Sequence, residues 1–221
     1  MSRSGAFFDL DRTLISRSSA LALAGSFRRH GLISRTTVAK SAFWQMLFML
    51  RGVSAERVRA ASEDGMKVLA GFSVADMQRL VGDAMEDVLR PLVYQEPLRL
   101  VQSHRARGER VYIVSATLQE IVDHIADDLG FDGAIGSTCE IVDGVYTGRS
   151  LRAAHGEGKA AALRELAAAE ELDLDASTAY SDSYSDVPFL EAVGHPVAAN
   201  PDRRLRRIAA ARGWPVVEFA A

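Results

Sequence analysis

The chain has 221 residues, a net charge of −3, a hydrophobic fraction of 48% and one cysteine, Cys139. That is enough apolar material for one large domain, or for a core with an insertion. The charge gives no reason to expect nucleic acid or an anionic membrane surface. A lone cysteine, read as a small apolar filler, excludes an internal disulfide framework and fits a reducing, cytoplasmic compartment. No secretory signal is read at the start, because Gly5 to Phe8 is too short for a signal core and runs straight into Asp9. Only Lys40, Lys67 and Lys159 are lysines among many arginines, so each lysine invites inspection.

Gly5 to Phe8 reads as a buried strand, apolar and ended by polar turn residues. From Ile15 to about Glu96 the texture is helical. Ser18-Ser19 cap a first helix through Leu21, Leu23 and Phe27, stopped near Gly31. Ser34 to Leu50 is a second, Ser54 to about Leu69 a third, and Ser73 caps a fourth that reaches Pro91. Four helices with short joints read as a bundle inserted between strands. Residues 42–50 are the greasiest stretch, too short for a bilayer span of roughly 20 residues. A helix buried on most sides is the plain reading; an apolar substrate wall, or a patch touching a membrane or partner, is the alternative.

After Pro97 strand and helix alternate. Leu98 to Arg107 is a helix, Val111 to Val114 a strand ended by Ser115, and Leu118 to Leu129 a helix. Ala134-Ile135 is a weak strand. Residues 140–147 form a hairpin around Asp143-Gly144. Gly158 to Glu171 is a helix, Thr178 to Tyr180 a strand, Val187 to Val193 a helix and Val197 to Ala199 a strand. Arg203 to Arg212 is a helix and Val216-Val217 a last strand. This alternation predicts an α/β fold: a Rossmann-like, three-layer parallel sheet core, with helices on both faces. The core takes residues 1–14 and 96–221. The inserted all-helical cap takes 15–95.

Polar clusters stand at the ends of three strand runs: Asp9 and Asp11, Ser115, and Asp182 with Asp186. Ligands of open parallel sheets bind outside the carboxyl ends of the strands, so the fold itself gathers these residues. Each has a plainer role. Asp9 and Asp11 could close a turn, Ser115 could cap the next helix, and Asp182 with Ser183 could cap the helix near 187. Two carboxylates as close as Asp9 and Asp11 repel unless a cation or a proton separates them. Lys159 opens a helix, where the dipole disfavours a cation, which argues for an anion beside it. Its Gly-Glu-Gly-Lys is not a P-loop, because Ala153 and Ala160 occupy positions that need Gly and Ser/Thr. Carboxylates, a hydroxyl and a lysine suit Mg²⁺ and a transferring phosphoryl group. One carboxylate can act as nucleophile and another as general acid/base.

The chain resembles the haloacid dehalogenase superfamily, in its phosphoserine-phosphatase-like branch (subfamily IB) with a C1-type helical cap. Four stretches carry the resemblance: 7–14 (Phe-Phe-Asp-Leu-Asp-Arg-Thr-Leu), 114–117 (Val-Ser-Ala-Thr), 156–159 (Gly-Glu-Gly-Lys) and 181–191 (Ser-Asp-Ser-Tyr-Ser-Asp-Val-Pro-Phe-Leu-Glu). The tail 194–202 and Gly213-Trp214-Pro215 are also typical. The resemblance implies a Mg²⁺-dependent phosphatase with a small phosphorylated substrate and an aspartyl-phosphate intermediate. Asp9 is then nucleophile and metal ligand. Asp11 is general acid/base, with its carbonyl on the metal. Thr13 supports the loop. Ser115 and the N–H of Ala116 hold phosphoryl oxygens, Lys159 neutralises charge, Asp182 binds metal, and Asp186 assists the metal or positions Lys159. The acid/base at position 11 favours ester hydrolysis over dehalogenation.

Two positions depart from the pattern. Ser181 stands where glycine is usual and is expected to cost little, being small. Ser18 stands where phosphoserine phosphatases carry a glutamate for the substrate ammonium, so phosphoserine is not expected as the main substrate. Arg12 and Arg17 flank the nucleophile loop as possible anion contacts, and His155 precedes Lys159. The other histidines show no metal-ligand spacing. Phosphoryl transfer to an alcohol, a non-catalytic binding protein with this fold, and a lipid-like substrate stand as alternatives. The leaving group and the oligomeric state are not legible.

Overall fold

The computed structural model describes residues 3–31 and 66–220. The expected second helix, with the greasy 42–50 stretch, and most of the third lie outside the described residues.

Strand β1 (Gly5–Phe8) is buried along its whole length. Its side chains alternate between two cores: Ala6 and Phe8 on one face, Phe7 on the other. This is what a period of two does in a sheet covered on both faces. The chain then enters helix α1 (Ser19–Arg29) and, past the undescribed stretch, helix α2 (Val74–Ala84). Ser73 caps α2 as expected, its hydroxyl accepting from the Asp76 N–H at 3.0 Å. The helix does not run smoothly to Pro91. It widens into one π turn at Met85–Leu89 and tightens into a 3₁₀ turn at Arg90–Leu92, where proline cannot continue the α ladder.

Helix α3 (Gln95–Ala106) leads to β2 (Arg110–Leu118), and α4 (Gln119–Leu129) to β3 (Gly133–Val142). β4 (Val145–Arg152) returns antiparallel. Then follow α5 (Glu157–Ala169), β5 (Thr178–Ser181), α6 (Val187–Leu190), β6 (His195–Ala199), α7 (Arg203–Arg212) and β7 (Val216–Val217). The sheet order is β4-β3-β2-β1-β5-β6-β7, parallel except for the β3–β4 pair. Helices α1 to α4 pack on one face and α5 to α7 on the other. The expected three-layer α/β architecture is therefore present.

Two expectations about strands need correction. β2 does not stop at Ser115 but continues through Thr117, so Ser115 lies in a strand and caps no helix. The weak strand at 134–135 and the first arm of the hairpin are one strand. Its start pairs with β2 and its end with β4. The turn itself is as read: Asp143 and Gly144 have φ of 50° and 77°, the pair of positive values that a two-residue hairpin turn requires.

The hairpin also receives the returning insertion. The N–H groups of Gly71 and Val74 donate to the carbonyls of Tyr146 and Gly144, and the Tyr146 N–H donates to Phe72. A second polar link lies beneath the sheet. His104 of α3 is buried, with Nδ1 against the Glu109 carboxylate and Nε2 at 2.7 Å from the Tyr180 hydroxyl. Nδ1 also lies 2.6 Å from Nη2 of Arg107, whose charge opposes protonation of the ring. Burial holds the His104 pKa below its ordinary value of 6.5, although Glu109 opposes the shift. The unfolded chain then binds more protons than the folded one between that lowered pKa and 6.5. His104 is expected to weaken the fold as pH falls through this window. The ring, followed by NMR, should titrate below 6.5; titration above 6.5 would contradict a ring held neutral by burial.

Candidate active site

The chain runs from β1 to β2 on one side and later crosses to β5 on the other side of β1. The strand order thus reverses beside β1, which opens a crevice at the carboxyl ends of these strands. Asp9 follows β1, Ser115 lies near the end of β2, and Asp182 follows β5. The Asp9 N–H continues the ladder, donating to the Tyr180 carbonyl at 2.9 Å. Leu10 is fully buried, as expected of a residue between two site-facing carboxylates. Its carbonyl receives N–H groups from Leu14 and Ile15, which curls the loop back. Arg12 takes a left-handed φ of 62° within this curl, and the Asn200 side-chain amide donates to its carbonyl at 3.3 Å. Thr13 is fully buried, and its hydroxyl has no hydrogen-bond partner among the described residues.

Lys159 is the centre of the arrangement. Its Nζ donates to Asp9 Oδ1 and to Asp186 Oδ2, each at 2.6 Å, and lies 4.7 Å from the centroid of the Phe189 ring. The lysine is 1% exposed. Gly158 makes its placement possible: a Cβ there would sit 2.2 Å from the Ala153 carbonyl oxygen, so a larger residue would push the loop away. Asp186 is further held by the Ser181 hydroxyl, which donates to the same Oδ2 at 2.7 Å. Ser181 thus does more than replace glycine with another small residue.

Asp11 faces the insertion. Its Oδ1 accepts the N–H of Ser19, the first residue of α1, at 2.8 Å. The Ser19 hydroxyl lies 3.0 Å from that of Thr117, and the Thr117 N–H donates to Ser115 Oγ at 3.1 Å. Ser115 is buried and Ala116 exposed beside it at the end of β2. Asp182 is anchored by backbone, its carbonyl accepting from the Asp202 N–H at 2.7 Å. Ser183 caps the 3₁₀ turn Tyr184–Asp186 rather than helix α6.

Burial pushes the pKa of Asp9 above the usual carboxylate range, and the charges of Asp186 and Asp11 add to it while Lys159 opposes it. Asp182 is raised by burial, then by the charges of Asp9 and Asp186. Burial alone would lower Lys159; Asp186 and Asp9 outweigh it and hold the ammonium above its ordinary value. Burial also raises Asp11, against hydrogen bonds from the N–H and hydroxyl of Ser19 and the hydroxyl of Ser18. One lysine therefore leaves the cluster with excess negative charge. Hard oxygen donors with that excess fit a divalent cation. Among the described residues no three acidic, histidine or cysteine side chains converge as a cage. Asp9 and Asp182, whose charges act on one another, are the side chains that could hold such an ion. Mg²⁺ suits such a set, because it keeps several waters.

Arg12 and Arg17 are exposed, and Arg12 carries a charge that Asp182 feels. His155 is partly buried, and burial lowers its pKa. Sequence reading missed Ser19, Thr117 and Asn200. Ser19 was visible as half of a helix cap, whereas nothing local to Thr117 or Asn200 announces a partner 98 or 188 residues away.

Comparison with known proteins gives the same picture. The signature of the haloacid dehalogenase-like hydrolases matches residues 6–191. A protein of Mycobacterium tuberculosis named as a probable phosphatase is 43% identical over 218 residues, 99% of this chain and 76% of that one. Another from the same organism, named as a phosphoserine phosphatase, is 38% identical over 216 residues, covering 97% and 70% of the two chains. A crystal structure of a Bordetella pertussis protein of unknown function superposes with a TM-score of 0.84 at 34% identity, over 98% of this chain and 99% of the other. No helix among the described residues is long and apolar enough to cross a membrane.

The triad around Lys159 makes a direct demand on stability. Lys159→Met would leave two buried carboxylates without their cation and should cost about 3–5 kcal/mol. Ser181→Ala removes one hydrogen bond to a charged group and should cost about 1.5–3 kcal/mol. Urea unfolding of both variants checks the order; a Lys159→Met loss no larger than that of Ser181→Ala would show that charge does not hold the triad together.

Proposed function

The chain belongs to the haloacid dehalogenase-like hydrolase family, and from that membership and the geometry of the site we propose that it is a phosphoric monoester hydrolase acting through Asp9. The observation that carries this reading is the buried bridge of Lys159 to Asp9 and Asp186 at the mouth of β1, beside Ser115. A carboxylate fixed through one oxygen to a buried cation keeps its other oxygen for attack. The Asp9 oxygen forms a bond to phosphorus while the ester P–O bond breaks, and Asp11 gives its proton to the departing oxygen. Water then gives a proton to Asp11 and attacks the same phosphorus, releasing phosphate and restoring Asp9. The Ser115 hydroxyl and the Ala116 N–H hold phosphoryl oxygens, and Lys159 balances their charge. Mg²⁺, held by Asp9, Asp182 and the Asp11 carbonyl, would screen the anionic nucleophile from the anionic phosphate. Asp186 serves this scheme by fixing Lys159.

The substrate we infer is a small phosphate monoester other than phosphoserine. Ser18, nine residues after Asp9, is buried at the start of α1, and the first turn of that helix carries no acidic residue. A substrate ammonium would meet hydroxyls there in place of a carboxylate. A site missing a needed charged contact discriminates strongly.

Phosphate release from a panel of small esters, with Mg²⁺ and with EDTA, tests the reading. Asp9→Asn keeps the shape and removes the nucleophile, so activity should fall at least ~10³-fold, or about 4 kcal/mol of barrier. Unchanged turnover in Asp9→Asn would overturn the assignment of Asp9. Phosphoserine should rank well below the best ester, and comparable turnover of the two would refute the substrate inference.

A further inference from the structure

Helix α1 opens the insertion, yet its first residue sits in the catalytic constellation. Ser18 precedes it with extended backbone and makes no side-chain cap. The helix start is instead met by a carboxylate from outside the helix: Asp11 Oδ1 accepts the Ser19 N–H at 2.8 Å. This pairing is favoured twice, because a helix N-terminus carries unpaired N–H groups and the positive end of the dipole. Ser19 is fully buried, and its hydroxyl continues outward to Thr117 at 3.0 Å. Thr117 closes the link with its N–H to Ser115 Oγ at 3.1 Å. Asp11, Ser19, Thr117 and Ser115 thus form one chain of hydrogen bonds across three elements: the loop after β1, the start of α1 and the end of β2.

We propose that Ser19 and Thr117 are positioning residues for the leaving-group step, fixing the Asp11 carboxyl group against the phosphate-holding end of β2. This rests on the reading of Asp11 as general acid. The Ser19 N–H holds Oδ1, and the hydroxyls of Ser19 and Ser18 also hydrogen-bond the carboxyl group; so oriented, it passes its proton to the ester oxygen as the bond to phosphorus breaks. The hydroxyl pair holds α1 and β2 at the spacing that keeps this orientation. Loss of either hydroxyl lets the start of α1 shift and carries Asp11 away from the departing oxygen. A displacement of an ångström is enough to matter for a positioned group.

Two esters separate positioning from a general structural role. An alkyl phosphate needs a proton on its leaving oxygen; p-nitrophenyl phosphate departs as a stable phenolate without one. The readout is the rate of leaving-group release in a single turnover, before water attacks. Ser19→Ala and Thr117→Val should each slow the alkyl ester by ~10-fold or more, part of the ~10²–10⁴ that a positioned general acid supplies. The aryl ester should change less than about threefold, and Ser19→Thr should restore the alkyl rate. Equal losses on both esters, or no loss on either, would overturn the proposal. A second measurement needs no turnover: in urea unfolding the Ser19→Ala and Thr117→Val losses should be non-additive, because they remove the same contact. Additive losses would show that the hydroxyl pair is not formed. Asp9→Asn keeps the two levels apart. If it retains activity, the reading of the site fails and this inference with it; if it is inactive while the esters respond equally, only the role of Ser19 and Thr117 fails.

Discussion

The bridge that Lys159 makes between Asp9 and Asp186 is the constraint on which the site depends. Removing a carboxylate or an ammonium from water costs several kcal/mol even after relaxation. Here one ammonium and two carboxylates are buried together, at 2.6 Å contacts. Their attraction compensates only if all three are held in place, and the structure supplies the restraints. Gly158 lets the loop close, the Phe189 ring covers the ammonium, and the Ser181 hydroxyl fixes Asp186. The loop after β1, the start of α5 and the turn after β5 are thereby tied to one point. Lys159, 150 positions from Asp9 in the sequence, becomes its neighbour because leaving it unpaired would be worse.

This bridge also explains the electrostatic character of the crevice. Lys159 offsets one charge, and the remaining carboxylates are pushed upward by burial and by one another. Such a cluster is unfavourable in isolation, and folding tolerates it because the parallel sheet beneath is packed on both faces. Phe8 stacks on Tyr180 at 4.5 Å between centroids directly below the two loops, and Phe7 stacks on Tyr112 on the other face. Apolar burial beneath the loops supports what their charges oppose.

Much of this was legible in the sequence, and for physical reasons. Apolar runs ended by Asp or Ser announce strands that stop at a sheet edge, so Asp9 and Asp182 could be placed together without knowing any contact. Lys159 betrayed itself by standing where a helix dipole disfavours it. Ser115 was placed at the end of its strand, but the strand runs on through Ala116 and Thr117, whose sequence shows no apolar run. Ser181 was undervalued, since residue size is visible in a sequence and a hydroxyl's partner is not. Ser19 shows the limit most clearly. Its position marks a helix start, and the ordinary expectation is that Ser18 caps that helix. The cap comes from Asp11, a contact set by tertiary structure.

That substitution of caps bears on how the chain divides. The sequence leads one to expect a boundary near residue 14, with a core before it and an inserted helical segment after it. The hydrogen bonds do not respect it. Ser19 belongs to the insertion by position and to the site by contact, and Tyr146 of the core hairpin pairs with Gly71 and Phe72 where the insertion returns. The described ends of the insertion are thus fastened to the core at both entry and exit, one at the proposed acid and one at the sheet edge. An element fastened this way cannot reposition its start without moving Asp11. Under the proposed role of Asp11, a shift of the start of α1 therefore carries the general acid with it.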